Sequence, residues 1–151
     1  MKITLAAIVP RRNRSKGDAF EALIGDYAKR AERYIPTDSL LFESEPEFLS
    51  WLSAQPGRVT PYAALLDSRG KQLSSEEFAG IIGNHRDQGT QRLVLAIGPA
   101  DGWSDETRGQ ARQLLSLGRI TLPHQLARVV LAEQVYRALS ILAGHPYHSG
   151  H

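Results

Sequence analysis

The chain has 151 residues, 42% of them hydrophobic and 23% charged, with a formal net charge of +2 and no cysteine. That length fits one domain with its own core, and the missing cysteines exclude disulfides, thiolate metal sites and cysteine nucleophiles while fitting a cytosolic setting. No apolar run approaches the roughly 20 residues of a membrane span, the basic residues follow the first apolar stretch in the wrong order for a signal peptide, and so small a net charge pulls only weakly toward polyanions.

Lys2 to Val9 is a short apolar run rich in β-branched residues and stopped by Pro10, which predicts a buried first strand. Arg11, Arg12, Arg14 and Lys16 follow within six positions. Such a run is either a solvated loop or a phosphate-contacting one, and its place directly after a strand keeps both readings open. Asp18 is placed to cap a helix running to about Tyr34, with Phe20, Leu23, Ile24, Tyr27 and Ala31 at helical spacing and Lys29, Arg30 and Arg33 on its solvated side. Ser39 to Phe42 predicts a second strand. Pro46 opens a short helix through Phe48, Leu49, Trp51 and Leu52, in which Trp51 reads as core, and Gln55-Pro56-Gly57 is a turn.

Pro61 to Asp67 is the third strand and Ser68 to Lys71 a loop. Ser74 and Glu77 have the spacing of a capping box that opens a helix through Phe78, Ile81 and Ile82. Arg92 to Ile97 is the clearest buried strand, and it runs into Gly98-Pro99-Ala100-Asp101-Gly102. Ser104 caps a helix whose first turn carries Asp105 and Glu106, matching the helix dipole, and which is expected to end near Ser116. Gly118 leads into the short apolar run Ile120-Thr121-Leu122, stopped by Pro123, whose fixed φ suits a first helical turn. From His124 the pattern is helical, with a wide apolar face from Leu126 to Leu142. Glu133, Arg137 and Ser140 form a narrow polar stripe, Glu133 preceding Arg137 in the favourable i,i+4 order. Gly144 reads as the C-cap and Pro146 forbids continuation. A helix this apolar is buried on more than one side, and a partner subunit is one source of the second cover.

Strand and helix alternate, so the expected class is α/β with a mostly parallel sheet and ligands at the carboxyl ends of its strands. Three ends matter: Leu66-Asp67, Gly98 to Gly102, and Gly118 to Pro123. The glycines allow close approach of backbone to a ligand, yet Gly98 to Gly102 is neither GxGxxG nor a phosphate loop. Taken alone it is a turn or a site.

Thr121-Leu122-Pro123-His124, continued by Leu126, Arg128-Val129, Ala132-Glu133, Tyr136-Arg137-Ala138, Ser140-Ile141 and His145-Pro146-Tyr147-His148, resembles the signature of the rRNA large-subunit methyltransferase H family of the SPOUT superfamily. The resemblance implies a single domain over 1–151 that ends in a C-terminal trefoil knot, which no sequence pattern shows by itself. It implies an S-adenosylmethionine pocket made by Leu66, by Gly98, Pro99 and Gly102, and by Gly118, Arg119, Ile120, Thr121, Leu122 and Pro123. The family's loop usually reads GGPEG. Here Pro99 stands for a glycine and removes a backbone donor, Asp101 stands for the glutamate, and Ser149 stands where the tail usually has arginine.

The implied reaction moves a methyl group from a sulfonium to N3 of a pseudouridine in 23S rRNA. The protein's part is to align the two atoms and exclude water. N3–H is a weak imide acid, so a group that takes its proton or steadies the anion helps. Tyr147, His148 and Arg128 are the catalytic candidates, and His124 is a further one that also reads as packing or capping. For His148 the alternative is an idle solvated side chain. For Arg128 and Arg137 it is an ion pair in a subunit interface. Arg11, Arg12, Arg14 and Lys16 are the candidate RNA contacts. The resemblance also implies a homodimer in which one subunit holds the cofactor and the other part of the substrate surface. The partner is 23S rRNA in the ribosome, the location is cytoplasmic, and no metal or membrane is involved. The alternatives are a SPOUT enzyme with another RNA target, a non-catalytic RNA- or ribosome-binding protein of the same fold, and a flavodoxin-like nucleotide-binding module.

Overall fold

A computed structural model describes residues 1–57 and 59–148. Five strands, β1 (Lys2–Ile8), β2 (Thr37–Phe42), β3 (Tyr62–Gln72), β4 (Arg92–Ile97) and β5 (Gln113–Ser116), form one sheet in the order β2-β1-β4-β3-β5. All four pairings are parallel. Parallel neighbours need crossovers, and helices supply them.

Successive side chains of a strand point to opposite faces. Ile3, Leu5, Ala7 and Val9 join Leu93, Leu95 and Ile97 in the larger core, beneath α1 (Ala19–Ala31), α3 (Ser75–Asp87) and α5 (His124–Leu142). The intervening Ala6, Ile8, Val94 and Ala96 meet Phe42, Phe48 and Trp103 on the other face, beneath α2 (Glu45–Ser53) and the short α4 (Asp105–Gln110). A sheet covered on both faces explains why its central strands read as continuous apolar runs.

The expected caps are in place. Asp18 accepts from the Phe20 N–H, Ser104 from that of Thr107, and Ser74 with Glu77 forms a full capping box. Each such cap contributes about 1 kcal/mol. Trp51 packs against Phe42 and Phe48.

Four expectations change. The segment after Ser104 is not one helix: α4 stops at Gln110, and Gln113–Ser116 pairs with β3 as an edge strand. Two adjacent leucines fit a helix face and a buried strand equally well, so periodicity could not separate the two. Ser68 to Lys71 is not a free loop either. Leu115 pairs with both Leu66 and Lys71, so the residues between them bulge out while β3 continues to Gln72. Gly70 makes the bulge possible, because a Cβ there would lie 2.6 Å from Leu114 and Leu115 backbone atoms. Ile120-Thr121-Leu122 forms no strand, and Ile120 is 82% exposed. Finally, α5 packs against both α1 and α3, so its own chain supplies the second cover. Among the described residues, the large apolar side chains that these helices leave exposed are Phe20 and Leu23 on α1 and Leu126 on α5, while Val59, Leu117 and Ile120 are exposed in loops.

Candidate active site

The ends of β3, β4 and β5 enclose a cleft of about 250 Å³ at the carboxyl edge of the sheet. Leu66, Asp67 and Ser68 of the bulge form one wall. Ile97 closes the base, and the loop from Ser116 to Leu122 with Ala127 of α5 forms the other wall. A neighbouring cavity of about 170 Å³ shares Leu66, Ser116 and Leu117 and extends the cleft toward Ser74, Phe78 and Gln134. Another cavity, of about 220 Å³, lies at the amino end of β3 between α2 and α4, the edge at which parallel sheets do not hold their ligands.

Of the residues that the resemblance assigns to the cofactor, Leu66, Gly118, Arg119, Ile120, Thr121 and Leu122 line the carboxyl-edge cleft, whereas Gly98, Pro99, Gly102 and Pro123 flank it without lining it. The Ser116 hydroxyl accepts from the Gly118 N–H at 3.1 Å and donates to the Gly118 carbonyl at 2.9 Å. That clasp fixes a turn whose φ of +132° at Gly118 few other residues adopt.

Behind the cleft, side chains from outside the loops hold the loop ends together. Gly102 N–H donates to the Pro99 carbonyl at 2.8 Å, closing a tight turn. The Trp103 indole, 3% exposed, lies so close beneath Gly98 that a Cβ there would come within 2.8 Å of the ring. Its N–H donates to the Leu66 carbonyl at 3.0 Å, joining the β3 and β4 ends. His124 Nε2 lies 2.7 Å from the Gly98 carbonyl. A carbonyl only accepts, so this nitrogen carries the proton. Arg108 donates to the Trp103 carbonyl and to Asp105, and lies 3.6 Å from Asp67. Glu45 accepts from the backbone and hydroxyl of Ser104 and from Thr107. Burial alone would raise the Glu45 carboxyl, but these hydrogen bonds outweigh it and, with Arg108 nearby, hold the group below its ordinary value.

The catalytic candidates lie elsewhere. Arg128 is 4% exposed and its guanidinium is committed to Glu21 of α1 and to Gln125. Tyr147 donates to Glu133, which also accepts from Arg137. Its ring packs 4.6 Å from that of Tyr136, with the Arg137 guanidinium above it at 5.1 Å. Burial first, and then the Glu133 carboxylate, push the Tyr147 phenol up to about 12. At neutral pH it is therefore a hydrogen-bond donor and not a base. Ala127 lines the cleft, whereas Glu133 and Arg137 lie six and ten residues further along α5. At 1.5 Å of rise per residue, that places the tail about 9–15 Å down the helix from the cleft of its own chain. The side chain of His148 and all of Ser149 fall outside the described part of the chain.

The basic loop begins with a 3-10 turn, Arg11–Asn13, after β1. Since β1 is paired with β4, this loop shares the carboxyl edge with the cleft. Arg11, Arg12, Arg14 and Lys16 are exposed, and Arg14 gives its Nε–H to the Val9 carbonyl.

Residues 1–148 match the family model described as "Predicted SPOUT methyltransferase". The chain belongs to the SPOUT methyltransferase family. Among its relatives is the ribosomal RNA large subunit methyltransferase H of Koribacter versatilis, 54% identical over 138 residues, which are 91% of this chain and 94% of that one. The protein of the same name from Allorhizobium ampelinum is 51% identical over 88 residues, 58% of this chain and 55% of its own. A probable methylase family protein from Haemophilus influenzae has the same fold, with a TM-score of 0.54 at 13% identity, covering 96% of this chain and 69% of that structure.

Within this SPOUT fold, the residues that sequence reasoning missed are those that brace the loops: Trp103, Arg108, Ser116 and Glu45. Ser116 had a local signal, a hydroxyl two residues before a glycine. Trp103 and Glu45 act on partners 37 and 59 residues away, and no local pattern carries such contacts. Among the described residues no group of His, Asp and Glu is arranged to hold a metal, and no helix is long and apolar enough to cross a membrane.

Proposed function

We propose that this chain is an S-adenosylmethionine-dependent methyltransferase acting on N3 of a pseudouridine in the 23S rRNA of the large ribosomal subunit, working in the cytoplasm as a homodimer. The observation that carries this reading is the coincidence of the carboxyl-edge cleft with the loops that the family resemblance assigns to the cofactor. The resemblance's trefoil knot belongs to the same reading, with the segment from Ser116 to Pro123 passing the β3 bulge.

The residues present suit such a cofactor. Leu66, Ile97, Leu117 and Leu122 give apolar walls, Arg119 gives charge at the rim, and the Ser116–Gly118 clasp presents backbone at close range. The cofactor supplies an electrophilic methyl group on a sulfonium. The walls orient the donor and keep water away. The basic loop contacts phosphates beside the cleft. Tyr147, whose single proton is held on Glu133, turns its ring and phenol oxygen toward the pyrimidine and positions it, and His148 is the proton acceptor. Arg128 is assigned to hold α1 against α5, because its charge is already engaged by Glu21.

The separation of Tyr147 from the cleft of its own chain supports the homodimer. A twofold copy brings the partner's tail to the cleft, and the exposed Phe20, Leu23 and Leu126 offer apolar surface for contact.

Two measurements test the reading. Titration calorimetry with S-adenosylmethionine is expected to show saturable binding, and a flat trace at high ligand would favour a non-catalytic RNA-binding role. Nucleoside mass spectrometry of 23S rRNA from a strain lacking the gene is expected to show an unmethylated pseudouridine. Full methylation in that strain would mean a different target.

A further inference from the structure

We propose that His124 is a positioning residue for the methyl-donor site, fixing the loop after β4 by holding the Gly98 carbonyl. The assignment rests on the donor site placed above.

The Gly98–Pro99 peptide unit has no N–H, because Pro99 supplies its nitrogen. Its carbonyl is therefore the only polar group by which that unit can be held. A backbone carbonyl at the end of a buried strand needs a partner, and His124 Nε2 provides it at 2.7 Å. The contact links residues 26 positions apart. His124 opens α5 directly after the loop that walls the cleft, so one hydrogen bond ties that loop to the β4 loop. Trp103 makes the matching link on the other side, from beneath Gly98 to the Leu66 carbonyl. Two aromatic N–H groups thus join all three loop ends in sequence. Holding a carbonyl uses the proton on Nε2, which gives His124 a task other than that of a base toward the substrate.

The test uses the full chain with His124→Leu and His124→Gln. Glutamine carries an amide N–H at about the reach of Nε2, and leucine carries none. Calorimetry with S-adenosylhomocysteine gives Kd, and thermal denaturation gives Tm for each variant. The expected result is an increase in Kd of about tenfold or more for His124→Leu, the scale of one lost hydrogen bond. His124→Gln should stay within about threefold of wild type and keep its Tm, whereas His124→Leu should melt lower for its unpartnered carbonyl and still be folded at the titration temperature. The proposal is overturned if His124→Leu binds like wild type, if His124→Gln is as weak as His124→Leu, or if Glu21→Gln, which lowers Tm away from the cleft, weakens binding as much as His124→Leu does. Wild-type chain that does not bind at all would overturn the donor-site reading, and this assignment with it.

Discussion

Tyr147 shows how one side chain's surroundings limit its chemistry. Its phenol is raised to about 12 by burial and by Glu133, so the fold favours the protonated form over the ordinary one that ionises near 10. The resulting stability is intact below about pH 10 and is lost as pH climbs from there to about 12. Thermal melts across pH 8–12 should show that loss in wild type and a flatter profile in Tyr147→Phe. The same variant should lower turnover more than cofactor affinity, because its target is the substrate. At the other end of the scale, His85 is held below its ordinary value by burial, packed 4.3 Å from Tyr62 with Nδ1 at Thr90. The neutral ring is favoured, so its contribution is present above about 6.5 and fades as pH falls. A His85→Gln chain should lose less stability than wild type between pH 7 and pH 5. Arg128 yields a third expectation: Glu21→Gln strips a buried guanidinium of its counter-charge and should cost about 1–3 kcal/mol in urea unfolding, with S-adenosylhomocysteine affinity unchanged.

Among elements, Gly70 within β3 and Gly98 just after β4 separate necessity from tolerance. Gly98→Ala drives a methyl into the ring of Trp103, a buried side chain held at Leu66, and overpacking of this kind costs about 1–3 kcal/mol. Gly70→Ala meets backbone of Leu114 and Leu115, which cannot swing aside, so denaturant midpoints should rank it below Gly98→Ala. Much at this scale was legible in the sequence. Asp18, Ser74 and Ser104 announced their helices because a cap is a contact within three residues. The runs Lys2 to Val9 and Arg92 to Ile97 announced buried strands because they are short, rich in apolar residues and bounded by proline or glycine, as strands covered on both faces are. What stayed hidden was β5, four residues with no period of their own, and the bulge at Asp67–Gly70, which exists only because β5 pairs on both sides of it. Of the cleft's lining, Gly118 to Leu122 on one wall and Leu66-Asp67 on the other were singled out in the sequence. Its bracing by Trp103 and His124 was not, since those contacts join distant parts of the chain.

For the whole molecule, the position of Tyr147 down α5 makes a site completed across two subunits a testable matter. Chains carrying Tyr147→Ala are expected to be inactive, as are chains carrying Gly118→Trp, which fills the cleft. Mixing and reassembling the two should restore up to about a quarter of wild-type activity, because half of the dimers are mixed and each holds one intact composite site. No recovery in the mixture would place the whole site within one chain.

The order in which the parts emerge from translation carries its own consequence. Helix α5 is the piece that packs against both α1 and α3, and it is made after every strand and every other α-helix. Until it leaves the exit tunnel, Ile24, Phe78 and Ile82 have no lid, so a nascent chain stopped near Gly118 should remain open to protease and to chaperones. Closure of the larger core is thereby postponed until α5 has been made, and the cleft, whose second wall leads directly into α5, takes shape only with it.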